Sequence, residues 1–138
     1  MISSLHASCV AFETRGVLIL GASGAGKSTL ALQLIALGAS LVSDDGTNLT
    51  EQSGQLVAQC PDAINGMIEV RGIGLIAVPP KVSAMVVLAV DLDRSEPERL
   101  PPHRTITQLG LEVDVIYGKD IQNLAAAVKL LVEGGRIA

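Results

Sequence analysis

The stretch GASGAGKST, Gly21-Ala22-Ser23-Gly24-Ala25-Gly26-Lys27-Ser28-Thr29, carries the most specific chemistry in the chain. Gly21, Gly26, Lys27 and Ser28 satisfy the phosphate-loop pattern G-x-x-x-x-G-K-[ST] in full. Glycines let successive backbone N–H groups turn inward around a polyphosphate, and a helix beginning near Lys27 adds the positive end of its dipole. The pattern assigns Lys27 to the outer phosphates and the Ser28 hydroxyl to Mg²⁺. All nine residues are therefore expected to cradle a nucleotide. The plain alternative is a glycine-rich turn joining strand to helix with Lys27 solvated. It would not require every fixed position at once, given average glycine usage of about 7%.

A bound phosphoryl group needs somewhere to go, and an acceptor hydroxyl needs a base to take its proton. Asp44 and Asp45 follow the apolar stretch ASLVS, 17 and 18 positions after Lys27. A helix and a returning strand fit that interval and bring both carboxylates back beside the loop. Neighbouring residues on a strand face opposite ways, so one Asp is expected to face the nucleotide while the other braces the loop or a metal's water shell. Asp-Asp-Gly is equally ordinary turn chemistry.

Glu69 and Arg71 stand two apart in the run MIEVRGIGLIAV and are expected on one face of a strand. A buried pair of opposite charges is costly unless well satisfied, so the pair suggests a metal ligand, Glu69, beside a phosphate or transition-state contact, Arg71. A water-facing salt bridge is the alternative. Asp91 ends another apolar run, but Asp93 and Arg94 follow closely and make surface capping the expectation there. His103, in a proline-rich stretch, is given no role.

These side chains need elements behind them. Leu5 to Phe12 reads as a strand, Glu13 to Gly16 as a turn and Val17 to Leu20 as a second strand, which together make a hairpin. Pairing Phe12 with Val17 across that turn puts His6 opposite Ser23, beside the phosphate loop. From Lys27, the stripe Leu30, Leu34 and Leu37 with Ala31 and Ile35 predicts a helix that ends at Gly38. Residues 39 to 45 predict a short strand, and Gly46 to Asn65 predict turns with a short strand pair. Residues 67 to 78 predict a strand broken or bulged around Gly72 and Gly74, and residues 83 to 93 a buried strand. RSEPERLPPHR, 94 to 104, reads as a mobile surface loop. A strand at Leu111 to Ile116 and a helix capped by Asp120 through Val132 complete the chain, with Leu124, Val128 and Leu131 on one helix face. No repeat or linker divides the 138 residues, so the expectation is one domain, 1–138, of α/β class.

Composition excludes several roles. Ten Lys and Arg against fourteen Asp and Glu give a formal charge of -4, with no basic cluster to track a phosphate backbone. Phe12 and Tyr117 are the aromatic residues, too few for base stacking. Nucleic acid is therefore not an expected partner. MVVLAV and the other apolar runs fall far short of the ~20 residues that span a membrane. MISSLHASCV lacks the charged and apolar regions of a signal peptide, so a cytoplasmic protein with no membrane partner is expected. Cys9 and Cys60 stand apart and predict reduced, partly buried thiols.

LHASCVAF, then VLILGASGAGKSTLALQLIALGASLVSDD, then GMIEVRGIGLI together resemble the catalytic domain of bacterial HPr kinase/phosphorylase, over roughly residues 5 to 78. The E-V-R-G-I-G run at 69 to 74 discriminates most, because generic phosphate-loop proteins have no reason to carry it. The resemblance implies a P-loop NTPase-type α/β sheet with flanking helices, related to phosphoenolpyruvate carboxykinase. It implies transfer of the γ-phosphoryl of ATP to a serine of the phosphocarrier HPr or a nitrogen-system paralogue, in control of the bacterial phosphotransferase system. A reverse phosphorolysis by inorganic phosphate belongs to the same family.

Carried over by position, the resemblance gives Lys27 the phosphates, Ser28 and Glu69 the Mg²⁺, and Asp44 the serine proton. Asp45 and His6 support Asp44, and Arg71 helps hold the strand signature. The chain resembles a short form without the family's N-terminal domain, and its last third lacks the family's proline- and arginine-containing run. Kinase activity is thus better supported than phosphorylase activity, and the family's hexamer leaves a homo-oligomer open. Two other readings stand beside this one. A small-molecule kinase would need an arginine-lined acceptor pocket, available only from Arg94, Arg99 and Arg104. A nucleotide-gated regulatory module would bind ATP without transfer and would not need Asp44 or Glu69.

Overall fold

A computed structural model describes residues 1–61 and 66–138, so the end of the predicted turn-rich segment, residues 62 to 65, lies outside the described residues. The chain runs β1 (Ile2–Leu5), β2 (Ala7–Phe12), β3 (Arg15–Leu20), α1 (Lys27–Ala36), β4 (Ser40–Ser43), β5 (Thr47–Gln52), β6 (Gln55–Gln59), β7 (Met67–Val70), β8 (Gly74–Ala77), β9 (Ser83–Asp91), β10 (Thr105–Gln108), β11 (Leu111–Tyr117) and α2 (Leu124–Gly134).

Strands β2, β3 and β9 are apolar on both faces, which suits the middle of a sheet covered on both sides. The main sheet has the order β1-β5-β6-β9-β3-β2-β4. Along one edge β9 pairs in parallel with β3. Its other edge is shared, with Ser83 to Met85 antiparallel to β6 and Leu88 to Asp91 parallel to β11. The parallel strands β3, β9 and β11 therefore end together, and the phosphate loop leaves from the end of β3.

Alternating side chains fill two cores. Val10, Phe12, Val17, Ile19, Leu88 and Val90 join Leu30 and Leu34 of α1 and Val128 and Val132 of α2, so both helices cover one face. On the other face Cys9, Leu18, Val86 and Val113 meet Leu49 and Leu56 from β5 and β6, because the large sheet curls over itself. Among the described residues no helix is long and apolar enough to cross a membrane.

Helix α1 ends as its sequence predicts. Gly38, at φ 111, stands just past the cap residue Leu37. Its N–H donates to Ile35 and that of Ala39 to Leu34, the paired bonds of a Schellman turn, with buried Ala39 returning to buried Leu34. Leu37 departs from the expected stripe and is exposed. At the far end of the sheet Arg15 Nη1 donates to the Val132 carbonyl at 2.8 Å, a cation at the last turn of α2 where the helix dipole favours one.

Several local expectations are corrected. The first hairpin turns at Glu13-Thr14 alone, so Phe12 pairs with Arg15 and Val10 with Val17, two positions from the predicted register. The expected strand from Leu5 is interrupted at His6, the single residue between β1 and β2, where the chain passes from pairing with β5 to pairing with β3. The stretch 67 to 78 is broken rather than bulged between Val70 and Gly74. It folds into the antiparallel hairpin β7–β8, with Ile73 N–H donating to Val70 at its turn. Glu69 lies on β7 but Arg71 lies in the turn, so they do not share a strand face. Helix α2 starts at Leu124 with Asn123 as its cap residue, and Asp120 makes no side-chain cap. The loop 94 to 104 is anchored: Arg104 forms a two-pronged pair with Glu96 at 2.9 and 3.0 Å and stacks its guanidinium 4.7 Å from the centre of the Tyr117 ring.

Candidate active site

The phosphate loop spans the gap between β3 and α1. Gly26 takes the N-cap position at φ 104, which a side chain would strain, and no side chain caps the first turn. Gly26 does accept the Leu30 N–H at 3.0 Å, but nothing acidic lies in that turn. Uncapped first-turn N–H groups and the dipole's positive end suit an anion.

Lys27 opens the helix and is buried, at 5% exposure. Its ammonium donates to the carbonyls of Gly21 at 2.8 Å and Ala22 at 3.1 Å and lies 3.3 Å from His6 Nε2. A buried ammonium demands such acceptors. Since Lys27 can only donate, Nε2 of His6 must carry its lone pair, and the ring proton belongs on Nδ1, 3.5 Å from Asp45 Oδ1. His6 Nε2 is also 3.2 Å from Ser23 Oγ. The predicted meeting of His6 and Ser23 thus occurs, although the hairpin register that led to it is different.

Asp44 lies past the end of β4 and half-buried. Its Oδ1 accepts hydrogen bonds from Ser28 Oγ at 3.0 Å and from Ser8 Oγ at 2.9 Å. Asp45 follows in the left-handed region at φ 63, and its own N–H donates to Ser8 Oγ at 3.1 Å. Strand alternation therefore does not separate the two carboxylates, because neither belongs to the strand. The left-handed step at Asp45 does that, sending Asp44 toward the loop and Asp45 toward His6.

Lys27, Ser23, His6 and Asp45 are thus joined to Ser28 and Asp44 in one network through Ser8. Glu69 and Arg71 are exposed, and among the described residues neither makes a hydrogen bond or ion pair with that network. Their hairpin is tied to α1 through buried Ile68, which joins Leu30 and Leu34 in the same core. Asp91 caps locally, as expected, accepting the Asp93 N–H at 2.9 Å and standing 3.5 Å from Arg94. Sequence reasoning missed two residues. Asp93 grips the start of the loop, both carboxylate oxygens lying 3.0 to 3.1 Å from the Ala22 N–H. Ser8 is the other, and its only sequence signal is a hydroxyl in an otherwise apolar strand.

An open cavity of about 470 Å³ adjoins the loop, lined by Ser23, Gly24, Ala25, Asp93, Lys119 and Asp120. Another, about 580 Å³, lies away from the loop against α2, and three of its basic side chains have partners: Arg15 on the Val132 carbonyl, Arg104 on Glu96 and His103 on Asp114 at 2.8 Å. The hydrogen bond from Arg104 lowers the Glu96 pKa below the usual carboxylate range. Burial pushes the Cys9 thiol up to about 12, and neither Cys9 nor Cys60 is in a disulfide. Among the described residues no three His, Cys, Asp or Glu side chains cluster to hold a metal. A cation here would need hydroxyl, phosphate and water oxygens beside a carboxylate, which is the habit of Mg²⁺ at nucleotide sites, and Ser28 beside Asp44 offers such oxygens.

Comparison with known proteins gives the family and the fold. Residues 2–116 match the family model described as HPr Serine kinase C-terminal domain, reaching well beyond the stretch whose motifs carry the likeness. HPr kinase/phosphorylase of Clostridium tetani is 43% identical over 86 residues, 62% of this chain and 28% of that protein. The Brevibacillus brevis protein of the same name is 36% identical over 115 residues, 78% of this chain and 35% of that one. The chain thus spans about a third of the length of these relatives. Among solved structures, the Hpr(Ser) kinase/phosphatase from Coxiella burnetii superposes with a TM-score of 0.78 at 34% identity, covering 95% of this chain and 94% of that one.

Proposed function

The chain belongs to the HPr serine kinase C-terminal domain family, and from that premise we propose that it moves the γ-phosphoryl group of ATP to a serine hydroxyl of the phosphocarrier HPr or a nitrogen-system paralogue. The observation that carries this reading is the hydrogen bond between Asp44 and Ser28, which sets a carboxylate against the phosphate loop. The serine oxygen forms the new P–O bond as the bond from the γ-phosphorus to its bridging oxygen breaks, and ADP leaves. Asp44 takes the serine proton. Lys27 and the first-turn N–H groups of α1 hold the phosphates and offset the charge that develops on them. His6 and Asp45 keep Lys27 and the Asp44 turn in place.

Ser28 and Glu69 are the residues we assign to Mg²⁺, which when bound neutralises the β- and γ-phosphates. In the reverse direction inorganic phosphate attacks phosphoserine, pyrophosphate forms and Asp44 returns the proton to the serine oxygen. Arg71 helps hold the hairpin signature. The cavity beside Ser23 to Ala25 gives the nucleoside room. A small-molecule kinase is less well supported, because Arg94 and Arg104 are engaged with Asp91, Glu96 and Tyr117. Exposed Met67, Ile73 and Leu75 on one hairpin support a homo-oligomer, and we assign the activity to the cytoplasm.

Incubation with Mg²⁺, γ-labelled ATP and purified HPr-type carriers tests the reading. Label mapped to a carrier serine is the expected result. Tight ATP binding with no label on any carrier would favour the regulatory module instead.

A further inference from the structure

Ser8 breaks the pattern of its strand. On β2 the residues facing the helices are Val10 and Phe12, and Ser8 pairs across to Ile19, a member of that same core. A hydroxyl here is fully buried, at 0% exposure. Burying it costs free energy unless it is hydrogen-bonded, and a polar residue breaking an apolar pattern often marks a functional constraint.

The hydroxyl is used in both directions. It donates to Asp44 Oδ1 at 2.9 Å and accepts the Asp45 N–H at 3.1 Å. Ser28 donates to the same Oδ1 at 3.0 Å, while among the described residues Oδ2 of Asp44 takes no hydrogen bond. Two hydroxyls from two elements, β2 and α1, thus tie down one carboxylate oxygen and leave the other available to a proton. Ser28 is the residue assigned above to the metal and phosphates, so its bond to Asp44 has to be shared. Ser8 has no such second task. It also holds the peptide linking Asp44 to Asp45, whose left-handed conformation at φ 63 carries a cost that a fixed partner offsets.

We propose that Ser8 is the positioning residue of the site: through one hydroxyl it fixes Oδ1 of Asp44 and the following peptide, so that Oδ2 meets the acceptor's proton. This inference rests on the reading of Asp44 as the base.

The test compares wild type with Ser8→Ala, Ser8→Val and Ser8→Thr. Val and Thr have the same shape on a strand and differ by the hydroxyl, so their difference isolates the hydrogen bonds. Transfer to the carrier is measured against ATP concentration, with thermal melting run alongside to verify folding. The expected result is a kcat lowered about 10- to 100-fold in Ser8→Ala and Ser8→Val, the scale of a misplaced catalytic group, with KM for ATP unchanged and much of kcat restored in Ser8→Thr. If Ser8→Val does not fold, Ser8→Ala against Ser8→Thr carries the same comparison. A folded Ser8→Ala that transfers as fast as wild type overturns the inference alone, as does Ser8→Thr performing no better than the variant lacking the hydroxyl. A wild-type protein that labels no carrier overturns the kinase reading and this inference with it.

Discussion

Lys27 has three acceptors around a buried ammonium: two loop carbonyls and the His6 ring. Its position at the start of α1 makes it the one strong cation the phosphate loop can offer. Lys27→Ala is expected to weaken ATP binding about 10- to 100-fold, the worth of a charge-assisted hydrogen bond, read by titration calorimetry. Unchanged affinity would remove Lys27 from the nucleotide site. Cys9 makes a different prediction. Its thiol is raised to about 12, so the folded protein holds that proton more tightly than the unfolded chain does, whose thiol titrates near 9. The associated stability is complete below pH 9 and is lost as pH rises toward 12. Denaturant unfolding should therefore show wild type losing stability relative to Cys9→Ala across that window, with a slope approaching about 1.4 kcal/mol per pH unit. Parallel pH profiles would contradict it.

At the scale of elements, the helix end was the most legible feature and the hairpin signature the least. Gly38 stands where its stripe stops, and the added Cβ of Gly38→Ala would meet no atom within 4 Å. The cost of that substitution is then purely conformational, and a loss of about 1 to 2 kcal/mol in thermal or denaturant unfolding is expected. No loss would mean that the Schellman turn is dispensable. In residues 67 to 78 the glycines marked where the strand breaks, but not that the chain reverses there. The antiparallel pairing from Met67 with Ala77 to Val70 with Gly74 reveals that the chain doubles back. The phosphate loop was legible because its chemistry is local and its spacing fixed. Asp93 and Ser8 were not: each acts through a hydrogen bond across 71 or 36 positions of chain, and the hydroxyl in the apolar strand β2 does not by itself name its partner. His6 reached its predicted neighbour because the loop beyond β3 curls back and absorbs a two-residue difference in register.

In the molecule as a whole, the curled sheet and its two helices produce one functional edge. The parallel strands β3 and β9 end beside each other, so the loop after β3 and the acid after β9 meet at Ala22. The antiparallel return of β4 along β2 brings Asp44 to Ser28 and Ser8. Sequence could establish the order of these elements, but not that the sheet buries its second face against its own strands β5 and β6, since alternation alone does not say what covers a face. The central claim is that Asp44, held at this edge, is the base for phosphoryl transfer to a phosphocarrier serine. The most direct measurement is transfer of label from γ-labelled ATP to the carrier by wild type and by Asp44→Asn, with ATP affinity determined for both. Loss of transfer by a factor of about 100 or more, with ATP affinity retained, is the predicted result. Transfer that survives in Asp44→Asn at the wild-type rate would contradict the account.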